Sequence, residues 1–180
     1  MNTFTAAGMQ DRRSAIMGCA LAVLFAVLLV NILMLPRTAL DQRYTLRLVH
    51  DSLGLVVAVL AAIRLWWFVR DPSPAPPPGL PESSFAFNRT ILVFLCLVFA
   101  ITGFIGFIYA WGEGRDVVLF GFTLPRLVAR SETVRIPMGY MHSVLGFYYI
   151  MLFCIWLAYG VYQHLRYGVG LRRLLPGRRV

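Results

Sequence analysis

Residues 48–69 read LVHDSLGLVVAVLAAIRLWWFV, a stretch interrupted by charge only at Asp51 and Arg64 and carrying one histidine, His50. A membrane-crossing helix takes about 20 predominantly apolar residues. The stretch is long enough to cross, and its polar residues cluster near one end. Three more runs of this kind flank it. Ala15–Leu35 is uncharged and stops at Pro36-Arg37, Thr90–Trp111 is uncharged, and Ile136–Leu165 is longer than a crossing needs. A long span of this kind tilts or protrudes. The first run is too long for the apolar region of a signal peptide and has no small-residue cleavage site after it, so it reads as a helix. The expected fold is therefore an all-α membrane protein, a four-transmembrane-helix bundle over about 15–35, 45–69, 90–111 and 136–165. It forms a single membrane domain across 1–180.

Composition agrees with this reading. The 180 residues are 59% hydrophobic, against roughly 45–50% apolar in a soluble domain, so the excess faces lipid. The formal charge of +9 comes from 17 basic residues, all Arg, and 8 acidic ones. These arginines sit between and beside apolar spans, which argues against nucleic-acid binding and reads mainly as a genome's base composition. Cys19, Cys96 and Cys154 lie far apart inside apolar runs. They form neither a disulfide framework nor a CxxC metal site and read as packing residues.

An even number of spans puts both termini on one side. Arg12 and Arg13 precede the first span, and Arg166, Arg172, Arg173, Arg178 and Arg179 follow the last. The positive-inside rule places both termini in the cytoplasm. The opposing loops also carry Arg37, Arg43, Arg47, Arg115, Arg126, Arg130 and Arg135, so the bias is strongest at the tail. Six of the ten prolines fall in Asp71–Pro81, an extended inner connector. The apolar stretch Val117–Leu124 is expected to fold back onto the outer membrane surface or the bundle top.

His50 and His142 begin matching patterns, His50-Asp-Ser-Leu-Gly54 and His142-Ser-Val-Leu-Gly146, near the outer ends of helices 2 and 4, roughly one to two turns in. A glycine four residues on lies on the histidine's own face and leaves room for a flat macrocycle. An ionisable residue inside a membrane is a functional hypothesis by default. Two neutral imidazoles facing each other can fill both axial positions of a haem iron. Arg47 and Arg43, three and seven residues before His50, and Arg135, seven before His142, suit the propionate carboxylates. The bland alternative, a histidine that simply hydrogen-bonds within the bundle, would be preferred for either residue alone. Two at matched depth favour haem. His164 lies 22 residues beyond His142, about 33 Å along the helix, and is expected at a solvated helix end.

At this point the chain resembles the bacterial cytochrome b561 family and its relatives, the cytochrome b subunits of hydrogenases and formate dehydrogenases. The resemblance spans nearly the whole chain. It rests on His50 with Gly54, on Arg64-Leu65, on the Pro-rich inner loop, on Phe120-Gly-Phe-Thr-Leu-Pro125 and on His142. It implies an outer haem b held by His50 and His142. It also implies an inner haem held by a histidine on helix 1 and another on helix 4. Here the helix-4 position is Trp156, and the helix-1 region reads Met17-Gly-Cys19-Ala20. Both inner ligands are missing together, which leaves one haem b expected, on the periplasmic side. The resemblance further implies electron transfer between a periplasmic-side redox partner and the quinone pool. Two other readings stay open: an accessory haem-binding subunit of a larger respiratory or photosynthetic membrane complex, and a haem-free scaffold.

Overall fold

The computed structural model describes residues 3–71, 75–76 and 78–168, with side chains from Ile16 onward and at Arg13. It has four long helices, α1 (Thr3–Met34), α2 (Leu40–Arg70), α3 (Glu82–Gly112) and α4 (Glu132–Tyr167), each with a stretch long and apolar enough to cross a membrane. A 3-10 turn, Leu35–Arg37, joins α1 to α2. Every helix runs further than its apolar stretch suggested. The added turns are polar, such as Leu40–Arg47 on α2 and Glu132–Arg135 on α4. Hydropathy marks where lipid begins, while the backbone ladder continues into the interface. The side chain of Arg12 in α1 and the tail arginines Arg172, Arg173, Arg178 and Arg179 lie outside what is described.

Many large apolar side chains point outward, among them Val23, Phe94, Phe104 and Phe147. In water these would be a liability. In a bilayer they are the lipid face, and the backbone behind them is satisfied within its own helix. The interior is aromatic. Phe25 of α1 stacks on Phe99 of α3 with ring centroids 4.3 Å apart, and Tyr149, Phe153 and Trp156 of α4 close around the pair. The Tyr149 hydroxyl donates to the Phe25 carbonyl and so ties α4 to α1. Cys96 lies in this core, whereas Cys154 is exposed. Towards the end that carries the termini, a polar latch joins α3 to α4. Gln163 Nε2 donates to the Ser84 carbonyl at 3.0 Å, Asn88 Nδ2 donates to Gln163 Oε1 at 3.1 Å, and Ser84 Oγ meets the Tyr159 hydroxyl at 2.8 Å.

The loop between α3 and α4 adds an element that an all-α reading does not contain. Strands β1 (Val117–Leu119) and β2 (Phe122–Leu124) pair antiparallel, Leu119 opposite Phe122. Phe120 and Gly121 both have positive φ, 50° and 89°, the requirement of a two-residue hairpin whose twist matches its strands. Of the two places expected for this loop, the structure shows the bundle top. Val117 and Leu119 are buried with Ala110 and Trp111, and the Phe120 N–H donates to Ser52 Oγ of α2 at 3.1 Å.

Helix α3 is the centre of the arrangement. It packs on α2 and on α4, while α2 and α4 make little direct approach to each other. Its contact with α2 depends on Gly103, where a Cβ would sit 2.6 Å from the Ala58 Cβ. Overpacking at such a point costs about 1–3 kcal/mol. Gly103→Ala is expected to lower the melting temperature in detergent, and adding Ala58→Gly should restore most of the loss. Additive losses in the double variant would show that the two positions do not meet.

Candidate functional site

His50 and His142 each stand ten residues past the first residue of their helices, Leu40 and Glu132. That is about 15 Å along the axis. They lie nearly three turns in, deeper than the one to two turns expected, because both helices start earlier. The matched depth holds. The two rings face each other across the gap between α2 and α4, centroids 6.0 Å apart and planes at 79°. Tyr109 of α3 flanks the His142 ring at 6.3 Å.

Each imidazole is held from behind by an acceptor. His50 Nδ1 lies 3.1 Å from Asn31 Oδ1 on α1, and His142 Nδ1 lies 3.2 Å from the Thr102 carbonyl on α3. A carbonyl oxygen can only accept, so Nδ1 of His142 carries the proton. A neutral imidazole with its proton on Nδ1 leaves a lone pair on Nε2. Gly106 seats the second histidine, since a Cβ there would lie 2.9 Å from His142 Cε1.

The rings border a cleft of about 740 Å³, counting its open mouth. Arg47, Asp51, Gly54, Gly106, Tyr109 and Arg115 are among its lining residues. A Cβ at Gly54 or at Gly146 would meet nothing within 4 Å; Gly54 lines the cleft, whereas Gly146 does not and its open space lies elsewhere. Arg47 also lines a neighbouring cavity with Arg43, Tyr44, Arg115 and Asp116. Arg43 donates to the Thr38 carbonyl at 3.1 Å.

Two placements differ from expectation. Arg135 does not line the cleft; its Nη2 pairs with Glu132 Oε2 at 2.6 Å, a carboxylate one turn away on its own helix. His164 is half-buried rather than solvated, its Nδ1 shielded and without a hydrogen-bond partner, because α4 continues past it to Tyr167 and the Gly168 cap. Two residues of the site escaped the sequence reading. Arg115, in the turn before β1, enters the cleft and binds Asp51 Oδ2 at 2.6 Å. Asn31 is a buried amide in α1. Its signal was visible, for it is the one amide in the uncharged run Ala15–Leu35.

Among the described residues no group of three or more His, Cys, Asp or Glu side chains is placed to hold a metal ion. The pair His50 and His142 offers two nitrogens and no more, which suits a metal whose remaining positions are filled by a macrocycle.

The sequence profile described as prokaryotic cytochrome b561 matches residues 17–177. The chain belongs to the prokaryotic cytochrome b561 family. It is also 29% identical over 105 residues to the cytochrome b561 homolog 2 of Escherichia coli (strain K12). That match covers 57% of this chain and 55% of the relative, so the chain spans about half the length of the curated relative it matches. Membership implies a multi-pass membrane b-type cytochrome, and with it haem b.

The Arg115–Asp51 pair pins the hairpin to α2, and its side chains are only 24% and 11% exposed. Truncating Arg115 removes the partner of the Asp51 carboxylate in a poorly solvated place. Arg115→Ala is expected to speed amide exchange across Val117–Leu124 while the four helices stay protected. Unchanged exchange there would show that apolar packing alone holds the hairpin.

Proposed function

We propose that this chain is a membrane b-type cytochrome that holds one haem b between His50 and His142 and passes electrons between a periplasmic-side redox partner and the quinone pool. The observation that carries the reading is the pair itself. Two imidazoles sharing one metal through nitrogen bonds of about 2 Å have ring centroids about 6 Å apart. The two rings here stand 6.0 Å apart, each with an acceptor behind Nδ1. An N–H tied to an acceptor is the usual partner of a metal-bound imidazole, fixing its tautomer and orientation. The open space in front of Gly54, which lines the cleft, supports the approach of a flat group on that side.

Haem b held by this pair would supply a one-electron couple. The residues around it do the rest. His50 and His142 present Nε2, and Gly106 and the Thr102 carbonyl hold the second ring in place. Arg47 and Arg115 line the mouth and suit carboxylates through their forked donors. Arg115 already shares itself between Asp51 and Glu113, at 2.6 and 3.5 Å. Arg135, bound to Glu132, has no such part in this reading. In the lower interior Trp156 stacks on Phe153 in the aromatic core, and Met17 packs against the same cluster. This filling supports a single haem, on the hairpin side of the bundle. With the termini in the cytoplasm, that side is periplasmic.

His50→Ala and His142→Ala are each expected to abolish the low-spin haem spectrum, while His164→Ala leaves it intact. Loss of the spectrum in the His164 variant would overturn the ligand assignment. Reduction of the bound haem by a quinol in detergent would support the electron-carrier reading. No reduction, with tight retention in a larger membrane assembly, would replace it with an accessory-subunit role.

A further inference from the structure

Helix α1 reaches the histidine site through one side chain. Asn31 is buried, 6% exposed, in an otherwise apolar stretch of helix. Its Nδ2 donates to the Leu46 carbonyl at 3.1 Å, and its Oδ1 lies 3.1 Å from His50 Nδ1. Leu46 is one turn before His50 on α2, so the amide bridges a backbone acceptor and the imidazole on one face of that helix.

The bridge has a defined polarity. A carbonyl oxygen accepts only, so the NH₂ of Asn31 must face Leu46. That leaves Oδ1 towards His50, and an amide oxygen also accepts only. The imidazole must therefore place its proton on Nδ1. We infer that Asn31 is a positioning residue that fixes the tautomer of His50 and, through the strength of the Nδ1–H···Oδ1 bond, sets the electron-donating power of Nε2. The inference rests on the proposed role of His50 as a haem ligand.

The second histidine makes the role specific. His142 obtains the same support from a main-chain oxygen, the Thr102 carbonyl, which no side-chain substitution removes. His50 obtains it from a side chain, on a helix that carries no histidine of its own. The two axial positions are thus supported in the same way by unlike groups, and one of the two can be altered. An acceptor on the distal N–H raises the basicity of the ligating nitrogen. A more basic ligand stabilises the more positive, oxidised iron and lowers the midpoint potential. Removing the acceptor should raise the potential and weaken the preference for the tautomer that can ligate.

The test uses the full-length protein purified with its haem. Asn31→Leu keeps the branched shape of the side chain and removes the acceptor. Asn31→Ser shortens the side chain and leaves room for a water to accept from Nδ1–H. Leu28→Ala truncates another buried α1 residue and serves as the control for disturbed packing. Redox titration and low-temperature electron paramagnetic resonance are read on each. The expected result is a midpoint potential shifted upwards in Asn31→Leu, a smaller upward shift in Asn31→Ser, altered ferric g-values in both, and neither change in Leu28→Ala. Should Asn31→Leu not fold, the Asn31→Ser titration decides alone. Potentials and g-values equal to the parent in the Asn31 variants would overturn the inference, and so would an equal shift in Leu28→Ala. If the parent itself carries no low-spin haem, the haem reading has failed rather than the role of Asn31.

Discussion

A neutral imidazole has one donor and one acceptor nitrogen, and within a bundle that spans a membrane the donor is best satisfied by an acceptor of the protein itself. Both histidines of this chain solve that problem in the same way, with Nδ1 turned onto an oxygen of a different helix. The rest of the upper bundle follows from this constraint. Helix α1 must bring Asn31 to His50, and α3 must bring the Thr102 carbonyl to His142. α3 can do so only because Gly103 lets it close on Ala58 and Gly106 leaves room for the second ring. With α3 wedged between them, α2 and α4 stand apart, and the cleft is the space between them.

The bundle is divided along its length. The upper part is open, polar at its mouth and roofed by a hairpin pinned through Asp51 and Arg115. The lower part is closed by stacked aromatics from α1, α3 and α4 and, near the far end, by the Ser84–Gln163 latch. With the single haem proposed above, electron movement through this chain alone would be confined to one half of the membrane, and a mobile quinone or a neighbouring subunit would carry any onward step.

Much of this was legible in the sequence because hydropathy and helical spacing are strong signals. Four apolar runs give four helices, and two histidines followed by glycine at the fourth position give a matched pair. Helix starts were less legible, since polar turns such as Leu40–Arg47 extend a helix beyond the lipid without any apolar signal. The hairpin needed the left-handed backbone at Phe120 and Gly121, and phenylalanine does not advertise that conformation. Arg135 was placed over the cleft by periodicity alone, but a carboxylate three residues earlier captures it. Arg115 was missed because it reaches the site through tertiary folding of a loop, which no periodicity encodes. Asn31 lay in plain view as an amide in an apolar run. Its meaning depends on His50 lying opposite, 19 residues away in sequence.

The number of haems bound per chain weighs most directly on this account. A pyridine haemochrome assay on the purified full-length protein, with protein measured by amino-acid analysis, gives that ratio. One haem b per chain is the result expected from a single histidine pair above a filled lower core. A ratio near two would mean that a macrocycle sits where Trp156 and Phe153 are packed, and a ratio near zero would mean that the two histidines face each other for some other reason.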